Sequence, residues 1–156
     1  MRLAARKGGS GGARIGRVRT QIVEEIPERD ELVALYDAVG WSAYTRDADM
    51  LVAGVAASWL VLTARDVDGA LVGMARVVSD GATIAYVQDI LVAPSAQRDG
   101  VGTALLDAVA GRTTGIRQTV LLTDAEPGQR AFYEAAGFTE AHDVEPHPLR
   151  AFVRLR

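Results

Sequence analysis

The sequence predicts a single α/β domain of the α+β kind, built on one mixed β-sheet. Two Asp-Gly pairs, Asp68-Gly69 and Asp80-Gly81, are strong turn signals between apolar runs and therefore indicate antiparallel hairpins. A strand–helix–strand unit follows them, and its crossover requires a parallel pair. The 156 residues, 49% of them hydrophobic, are enough for one core. We therefore expect a mixed sheet instead of a doubly wound parallel one.

Hydrophobic spacing assigns the elements in order along the chain. Leu32 and Leu35 recur at helical spacing in the first predicted helix, and Met50, Leu51 and Val55 form the inward face of the second. The expected strands are residues 18–26, 59–65, 70–78, 83–92, 116–122, 138–142 and 149–155. The expected helices are residues 27–39, 47–57, 100–112 and 128–136.

The N-terminal segment is basic and rich in glycine, with no acidic residue before Glu24. We expect residues 1–17 to form a flexible tail ahead of one domain at residues 18–156. The charge would suit a nucleic-acid arm, but no aromatic residue accompanies it as a stacking platform. The net charge of −3 also offers nothing global to nucleic acid, so no such partner is expected.

Several classes of protein are excluded by what the sequence lacks. Without cysteine there is no disulfide framework, thiolate metal site or cysteine nucleophile, and a reducing cytoplasm is the expected compartment. No apolar run approaches the roughly 18 residues of a membrane span, so no membrane partner is expected. His142 and His147 have no other suitably spaced ligands, and we expect no metal.

The connection between the strand at 83–92 and the helix at 100–112 contains the sequence QRDGVGT, residues 97–103. Free N–H groups and the positive end of the dipole make a helix N-terminus an anion site. Gly100 and Gly102 let a phosphate approach the backbone, and Arg98 adds a cation. From these residues alone, an ordinary strand–helix connection remains the alternative.

Two motifs in this half of the chain resemble those of the GNAT superfamily of N-acyltransferases. Residues 97–102 match the pattern Gln/Arg-x-x-Gly-x-Gly/Ala of its acetyl-CoA loop. About twenty residues later, LLTD at 121–124 resembles its next strand, and about thirty residues after the loop AFYEAAGF at 131–138 resembles its Phe-Tyr-x-x-x-Gly-Phe helix. The element order is also similar from Val18 onward. The resemblance implies a GNAT-like fold, in which a mostly antiparallel central sheet is splayed at the acyl-CoA site and flanked by helices on both faces.

The resemblance also implies where acetyl-CoA binds. Backbone N–H groups of the loop would hold the pyrophosphate, and the end of the preceding strand would pair with the pantetheine amides. The implied residues are Ile90, Leu91, Val92, Gln97, Arg98, Asp99, Gly100, Val101, Gly102 and Thr103. Asp99 departs from the basic or small residue common in the family. It would repel phosphate unless it points away or pairs with Arg98, so weakened CoA affinity is expected.

Tyr133 is the residue we expect to protonate the departing thiolate. A tyrosine has a reference pKa of about 10 and a thiol one of about 8.5, so this transfer is favourable. In the family the matching tyrosine sits near the CoA sulfur. The alternative is a packing role, since Phe132, Tyr133 and Phe138 are also natural core aromatics.

Asp89 is the best local candidate for a base, because it interrupts an otherwise apolar strand. A carboxylate inside a sheet is costly unless it is satisfied or functional. It would act directly, act through a water, or anchor a cationic substrate. The alternative is a structural carboxylate bonded to nearby backbone at a strand bulge.

The resemblance also implies that the segment joining the first two helices borders the acceptor pocket. Trp41 and Tyr44 would stack on an aryl group or a cation there, although either could instead cap the core. Asp47 and Asp49 add negative charge nearby, and helix N-capping explains one of them.

The hypothesis from the sequence is acetyl transfer from acetyl-CoA to a primary amine of a small molecule or peptide, by direct attack in a ternary complex. The alternative is a non-catalytic acyl-CoA sensor or interaction domain on the same fold. The alternating residues at 149–155 would suit either a homodimer contact or the edge of the sheet.

Overall fold

The computed structural model describes residues 20–155, so the expected tail at residues 1–17 lies outside the described part. The strands are β1 (Gln21–Glu24), β2 (Leu60–Arg65), β3 (Leu71–Ser79), β4 (Ile84–Val92) and β5 (Gln118–Leu121). The helices are α1 (Arg29–Ala38), α2 (Ser42–Thr45), α3 (Ala48–Ala56), α4 (Val101–Thr113) and α5 (Pro127–Ala135). Short 3-10 turns occupy Pro94–Ala96 and Ala141–Asp143.

The five strands form one mixed sheet in the order β1-β2-β3-β4-β5. The first three pairings are antiparallel, and β4 pairs with β5 in parallel through the α4 crossover. The mixed sheet expected from the turn signals is therefore confirmed.

Helices cover both faces of this sheet, and each face has its own core. On one face α4 contributes Val101, Leu105 and Val109, which pack against sheet residues such as Ala75 and Val87. On the other face, α1 and α3 pack against Val61, Met74 and Leu91 of the sheet; their core residues are Leu32, Leu35, Tyr36, Leu51 and Val55. The burial of these apolar side chains holds the layers together.

A β-bulge at Gln88 reverses the alternation of side chains along β4. Odd-numbered residues before and after the bulge therefore point to opposite faces of the sheet. Val77 pairs with Val87 and Arg76 pairs with Asp89, so Gln88 is an extra residue without a partner in β3. Val87 belongs to the core under α4, whereas Leu91 belongs to the core under α1 and α3. Because strand side chains alternate, these two odd-numbered residues would share a face without the extra residue.

The parallel pair ends before β4 does. β5 pairs with β4 only from Ile84 to Val87, opposite Gln118 to Leu121. Beyond Val87, no strand in the described part of the chain pairs with β4 on its β5 side. An open backbone edge therefore follows the bulge, in agreement with the expected splay of the sheet.

Both predicted C-terminal strands are wrong. Residues 138–142 contain part of a 3-10 turn, and no strand occurs at residues 149–155, where Phe152 is 90% exposed. An alternating pattern shows that a segment could bury one face, but a strand also needs a neighbour for its backbone hydrogen bonds. Pro146 and Pro148, immediately before the second segment, each remove a backbone donor.

Met50 is also a correction, since it was expected to face inward and is 65% exposed. On α3 the core is reached by Leu51 and Val55, which are separated by one helical turn. Met50 precedes that stripe by about 100° of helix rotation and therefore lies at its edge.

Candidate active site

The connection from β4 to α4 is a compact turn that bends back on the strand. The backbone of Arg98 has φ of 69°, and Gly100 has φ of 86°, so both lie in the left-handed region. Gln97 donates a hydrogen bond from its side-chain amide to the Val92 carbonyl, at 3.1 Å. The glutamine of the loop motif therefore fixes the loop to the end of β4.

The N-terminus of α4 presents free donors. Gly100 is its N-cap and supplies no side-chain cap, and the first turn holds no acidic residue. Within the described part of the chain, the N–H groups of Val101, Gly102 and Thr103 have no hydrogen-bond acceptor. Unpaired N–H groups at the positive end of a thirteen-residue helix suit a phosphate group. The site therefore fits the pyrophosphate of a CoA ester.

Gly102 lies where the loop, the strand end and α5 meet. A Cβ built on Gly102 would lie 3.5 Å from Cζ of Phe132 and 3.6 Å from Cγ2 of Val92, which is ordinary van der Waals contact. A Cβ on Gly100 would meet nothing within 4 Å. The anion site is therefore open above Gly100 and bordered by Phe132 and Val92 at Gly102.

Asp99 is exposed at this loop, and no ion pair with Arg98 occurs in the part of the chain that the structure describes. Its carboxylate is therefore not neutralised there by the neighbouring guanidinium. The negative charge that sets Asp99 apart from the family pattern is therefore present, unpaired with Arg98, at this loop.

Tyr133 lies next to the loop through Phe132. Its ring packs edge-on against Phe132 at 5.0 Å between centroids and against Phe138 at 6.0 Å. The packing role considered as an alternative for Tyr133 is therefore present. Burial raises the pKa of the Tyr133 phenol, and the nearby polar side chain of Thr123 partly offsets this. A phenol that holds its proton at neutral pH is suited to donate it, and the catalytic role stays a prediction.

Asp89 is buried, with a side chain that is 0% exposed, and it is held by two other side chains. Arg76 donates from Nε to Oδ2 at 2.6 Å, and the Tyr36 hydroxyl donates to the same oxygen at 2.7 Å. Oδ1 has no hydrogen-bond partner among the described residues. Burial, followed by the charge of Asp89, raises the pKa of Tyr36 far above its usual value.

The bulge supposed by the structural alternative is therefore present beside Asp89. The Asp89 carboxylate, however, accepts hydrogen bonds from side chains and not from nearby backbone. Arg76 was not expected at this site from the sequence. A charged residue within the apolar run LVGMARVV was the available signal, because an arginine there must be paired or functional.

The aromatic residues expected near the acceptor divide between two roles. Tyr36, Trp41 and Tyr44 form one cluster, with ring centroids 5.6–6.0 Å apart. Trp41 is half-buried against the core under α1 and α3, which favours its core-capping alternative. Tyr44, on the short helix α2, lines a pocket instead.

This pocket has a volume of about 340 Å³. Its lining residues come from α2, α3 and β3; they are Ala43, Tyr44, Met50, Leu51, Gly54 and Arg76. Arg76 thus joins the pocket to Asp89 on the next strand. Asp47 lies near the pocket but caps α3, accepting from the Met50 N–H at 3.0 Å, and Asp49 pairs with Arg29. The capping explanation for one of these aspartates is confirmed.

His142 lies in an exposed group with Glu140 and Asp143 that has the spacing of metal ligands. Arg130 already pairs with Glu140 at 2.9 Å and with Asp143 at 2.6 Å. These carboxylates are thus engaged by a cation, and the group gives no reason to propose a metal. None of the helices described is long and apolar enough to cross a membrane.

Comparisons with known proteins agree with this geometry. A family model described as the acetyltransferase (GNAT) domain matches residues 57–140. The chain is similar to serotonin N-acetyltransferase 2, chloroplastic, of Oryza sativa subsp. japonica, with 33% identity over 100 residues. That match covers 63% of this chain and 48% of the relative, so the chain spans about half the length of the curated relative it matches.

Solved structures share the fold. A GNAT family acetyltransferase from Streptococcus pneumoniae TIGR4 has a TM-score of 0.73 and 29% identity, over 88% of this chain and 100% of that chain. An aminoglycoside N-acetyltransferase in complex with CoA has a TM-score of 0.65 and 22% identity, over 89% and 96% of the two chains, and shows the fold alone. The matched family region contains the loop at 97–103 and Tyr133, whereas Trp41 and Tyr44 precede it.

Proposed function

Because this chain belongs to the GNAT acetyltransferase family, which implies acetyl transfer from acetyl-CoA, we propose that it acetylates a primary amine of a small molecule or peptide. The observation that carries the proposal is the junction at Gly102. There the unpaired N–H groups at the start of α4 lie beside the unpaired edge of β4. One feature suits a pyrophosphate and the other suits the amide groups of an extended chain.

The loop and the strand edge divide the binding of acetyl-CoA between them. The N–H groups of residues 98–103 bind the pyrophosphate, and the backbone of Ile90, Leu91 and Val92 pairs with the pantetheine arm. Gln97 keeps the two parts in register, because its side chain bonds the Val92 carbonyl. Acetyl-CoA supplies an acetyl group activated as a thioester.

Transfer takes place by direct attack of the amine in a ternary complex. One C–N bond forms and one C–S bond breaks; the amine nitrogen gives its proton to water, the sulfur takes one from Tyr133, and the Tyr133 phenolate regains a proton from solvent. Tyr133 donates its phenolic proton to the sulfur, since its own pKa is raised by burial. A backbone N–H near Ile90 stabilises the developing oxyanion, in the manner of other acyl transfers.

Asp89 serves in this proposal as the anchor for the amine side of the reaction. Its Oδ2 atom is already bonded by Tyr36 and Arg76, and Oδ1 has no partner but is shielded from solvent, so an amine reaches Oδ1 only if the side chains around it move. The residue lies two positions past the last β4–β5 pair, where the open edge begins. A structural carboxylate at the bulge remains the alternative, and the two roles separate in the variants described below.

A non-catalytic acyl-CoA sensor is the second candidate, favoured by the unneutralised charge of Asp99 at the loop. Both candidates predict that acyl-CoA binds, but only the first predicts turnover. The cytoplasmic compartment and a homodimer stay predictions.

Two measurements test the proposal. Calorimetry with acetyl-CoA should give saturable binding to the purified chain, and a thiol reagent should detect free CoA when a suitable amine is added. Failure to bind any acyl-CoA contradicts the proposal. Tight binding without turnover across a broad amine panel favours the sensor instead.

A further inference from the structure

Arg76 is a buried cation with unused donors that face a pocket. Only 9% of the residue is exposed, yet it lines the 340 Å³ cavity beside α3. Its contact with Asp89 uses Nε alone, at 2.6 Å. Neither Nη atom has a hydrogen-bond acceptor among the described residues, and Arg76 is one of the residues that line the cavity. The Nη groups of an arginine commonly donate two parallel hydrogen bonds to a planar anion such as a carboxylate.

The backbone of α3 gives this guanidinium its room. A Cβ built on Gly54 would lie 3.3 Å from Nη1 of Arg76, closer than most such contacts allow. Glycine inside a helix costs about 1 kcal/mol relative to alanine. The position therefore gives up helix stability and keeps the Nη groups beside the cavity.

The rest of the lining is apolar and small in extent. Tyr44 and Met50 contribute apolar surface, and none of the described residues that line the cavity is acidic. Its volume lies at the low end of the roughly 300–1,000 Å³ typical of ligand pockets. A polycationic acceptor would therefore find no carboxylate among these lining residues.

We propose that the acceptor is an apolar α-amino acid, whose carboxylate binds the Nη groups of Arg76. Its side chain packs against Tyr44 and Met50, and its amine is directed towards the unpaired edge of β4. This rests on the proposed function and adds the class of amine. The ion pair with Asp89 makes the site neutral before binding, so a zwitterion enters without adding net charge.

Paired acceptors test this on the unaltered protein. With acetyl-CoA saturating, kcat/KM is measured for L-phenylalanine, L-phenylalaninamide and phenethylamine, each compared at equal concentration of neutral amine. The same set is built on L-methionine. Because only the first member of each set carries a carboxylate, we expect at least a tenfold preference for it. Equal or better turnover of the amide or the plain amine overturns the inference while the proposed function stands.

Arg76→Lys then identifies the residue responsible. Lysine keeps a cation for Asp89 but loses the planar fork, so we expect the preference to fall below about threefold. Arg117→Lys, on an exposed arginine outside the cavity, is the matched control and should keep the full preference. An unchanged preference in Arg76→Lys contradicts the role of Arg76. Absence of acyl-CoA binding in the unaltered protein contradicts the proposed function itself.

Discussion

Arg76 on β3 and Asp89 on β4 are paired directly across the two strands, and their side chains form a buried ion pair at 2.6 Å. Tyr36 of α1 donates to the same Asp89 oxygen at 2.7 Å, so the pair also ties the sheet to a helix. A buried charge is tolerated only when it is paired and hydrogen-bonded. The stability of each of the three residues in the core therefore depends on the other two. Single substitutions measure what each one contributes to the free energy of unfolding.

Removal of the Asp89 charge should cost more stability than removal of the Tyr36 hydroxyl. Asp89→Ala leaves Arg76 buried without a counter-charge, and we expect a loss of about 3–5 kcal/mol in the free energy of unfolding. Tyr36→Phe deletes one hydrogen bond to a charged group, at about 1.5–3 kcal/mol. Urea denaturation measures both.

Tyr86→Phe is the matched control for this pair, because Tyr86 is half-buried on β4 and makes no side-chain hydrogen bond among the described residues. We expect a change below about 0.5 kcal/mol. Equal losses in the three variants would show that Asp89 is not the centre of the cluster. If Asp89→Asn folds and binds acetyl-CoA normally but loses turnover, the anchor role is favoured over the structural one.

Gly102→Ala should weaken acetyl-CoA binding without harm to the fold. The added Cβ meets Phe132 and Val92 only at ordinary contact distance, and alanine is the better helix former. It would nevertheless stand where a phosphate approaches the backbone. We expect at least about a tenfold rise in Kd, or about 1.4 kcal/mol, in calorimetry.

Gly111→Ala is the control on the same helix, since its Cβ would meet nothing within 4 Å. It should raise the melting temperature and leave the Kd for acetyl-CoA unchanged. If the two variants bind alike, the start of α4 is not the phosphate site.

Asp99→Asn should strengthen acetyl-CoA binding, because it removes a negative charge from the anion-binding loop. For an exposed charge the gain is expected to be about 0.2–1 kcal/mol, or up to about fivefold in Kd. The gain should shrink as salt is raised. Asp107→Asn, exposed later on α4, is the control and should have little effect. A weaker Kd in Asp99→Asn would mean that the carboxylate helps to hold the loop.

Tyr133→Phe should reduce kcat and spare the affinity for acetyl-CoA. The substitution keeps the ring that packs on Phe132 and Phe138 and removes only the proton donor. Loss of a positioned acid is expected to lower kcat by about 100-fold or more. The Kd from calorimetry should stay within about twofold. A full turnover rate would leave Tyr133 with a packing role only.

Acid should destabilise the link between β2 and α1 through Arg65. Hydrogen bonds from Thr63 and then Arg65 lower the pKa of Glu25, and one from Arg65 lowers the pKa of Glu31, both from an ordinary value of 4.5. Because the folded-state pKa values are depressed, the stabilisation is complete above pH 4.5 and is lost as the pH falls through the folded values.

Urea midpoints measured between pH 7 and pH 3 should therefore decline on acidification, and Arg65→Met should flatten part of that decline. An equal slope in the variant would assign the acid sensitivity to other carboxylates. The two glutamate side chains are about one-third exposed and that of Arg65 is 21% exposed, so added salt should also reduce the effect.

The mixed sheet, the loop at 97–103 and the Phe132–Tyr133 helix could be predicted because each leaves a local signal. Asp-Gly turns, glycine spacing and aromatic spacing are all visible within a few residues of sequence. Asp89 was also visible as a charge in an apolar strand, and the same reasoning marks Arg76. The partnership between them was not, because it depends on the register of two strands.

The predictions that failed depended on which parts of the fold lie next to a segment, and the pattern of residues within the segment does not show this. Residues 149–155 alternate as a strand does, but alternation does not say whether a sheet edge is available. Met50 has the helical spacing of a core residue and lies at the rim of the pocket instead. Nothing in the sequence near Gln88 indicates that it would have no partner in β3. The face of the sheet on which Asp89 lies could therefore be learned only from the fold.

The single extra residue in β4 has a consequence for how this protein can diversify. It places Leu91 and the ion pair on the side of α1 and α3, while Ile90 and Val92 stay on the side of α4. Under the proposed function, recognition of the incoming amine and recognition of acetyl-CoA fall on opposite surfaces of one sheet. On that assignment, substitutions in α2 and α3 alter the choice of acceptor without touching α4, the helix proposed to bind acetyl-CoA.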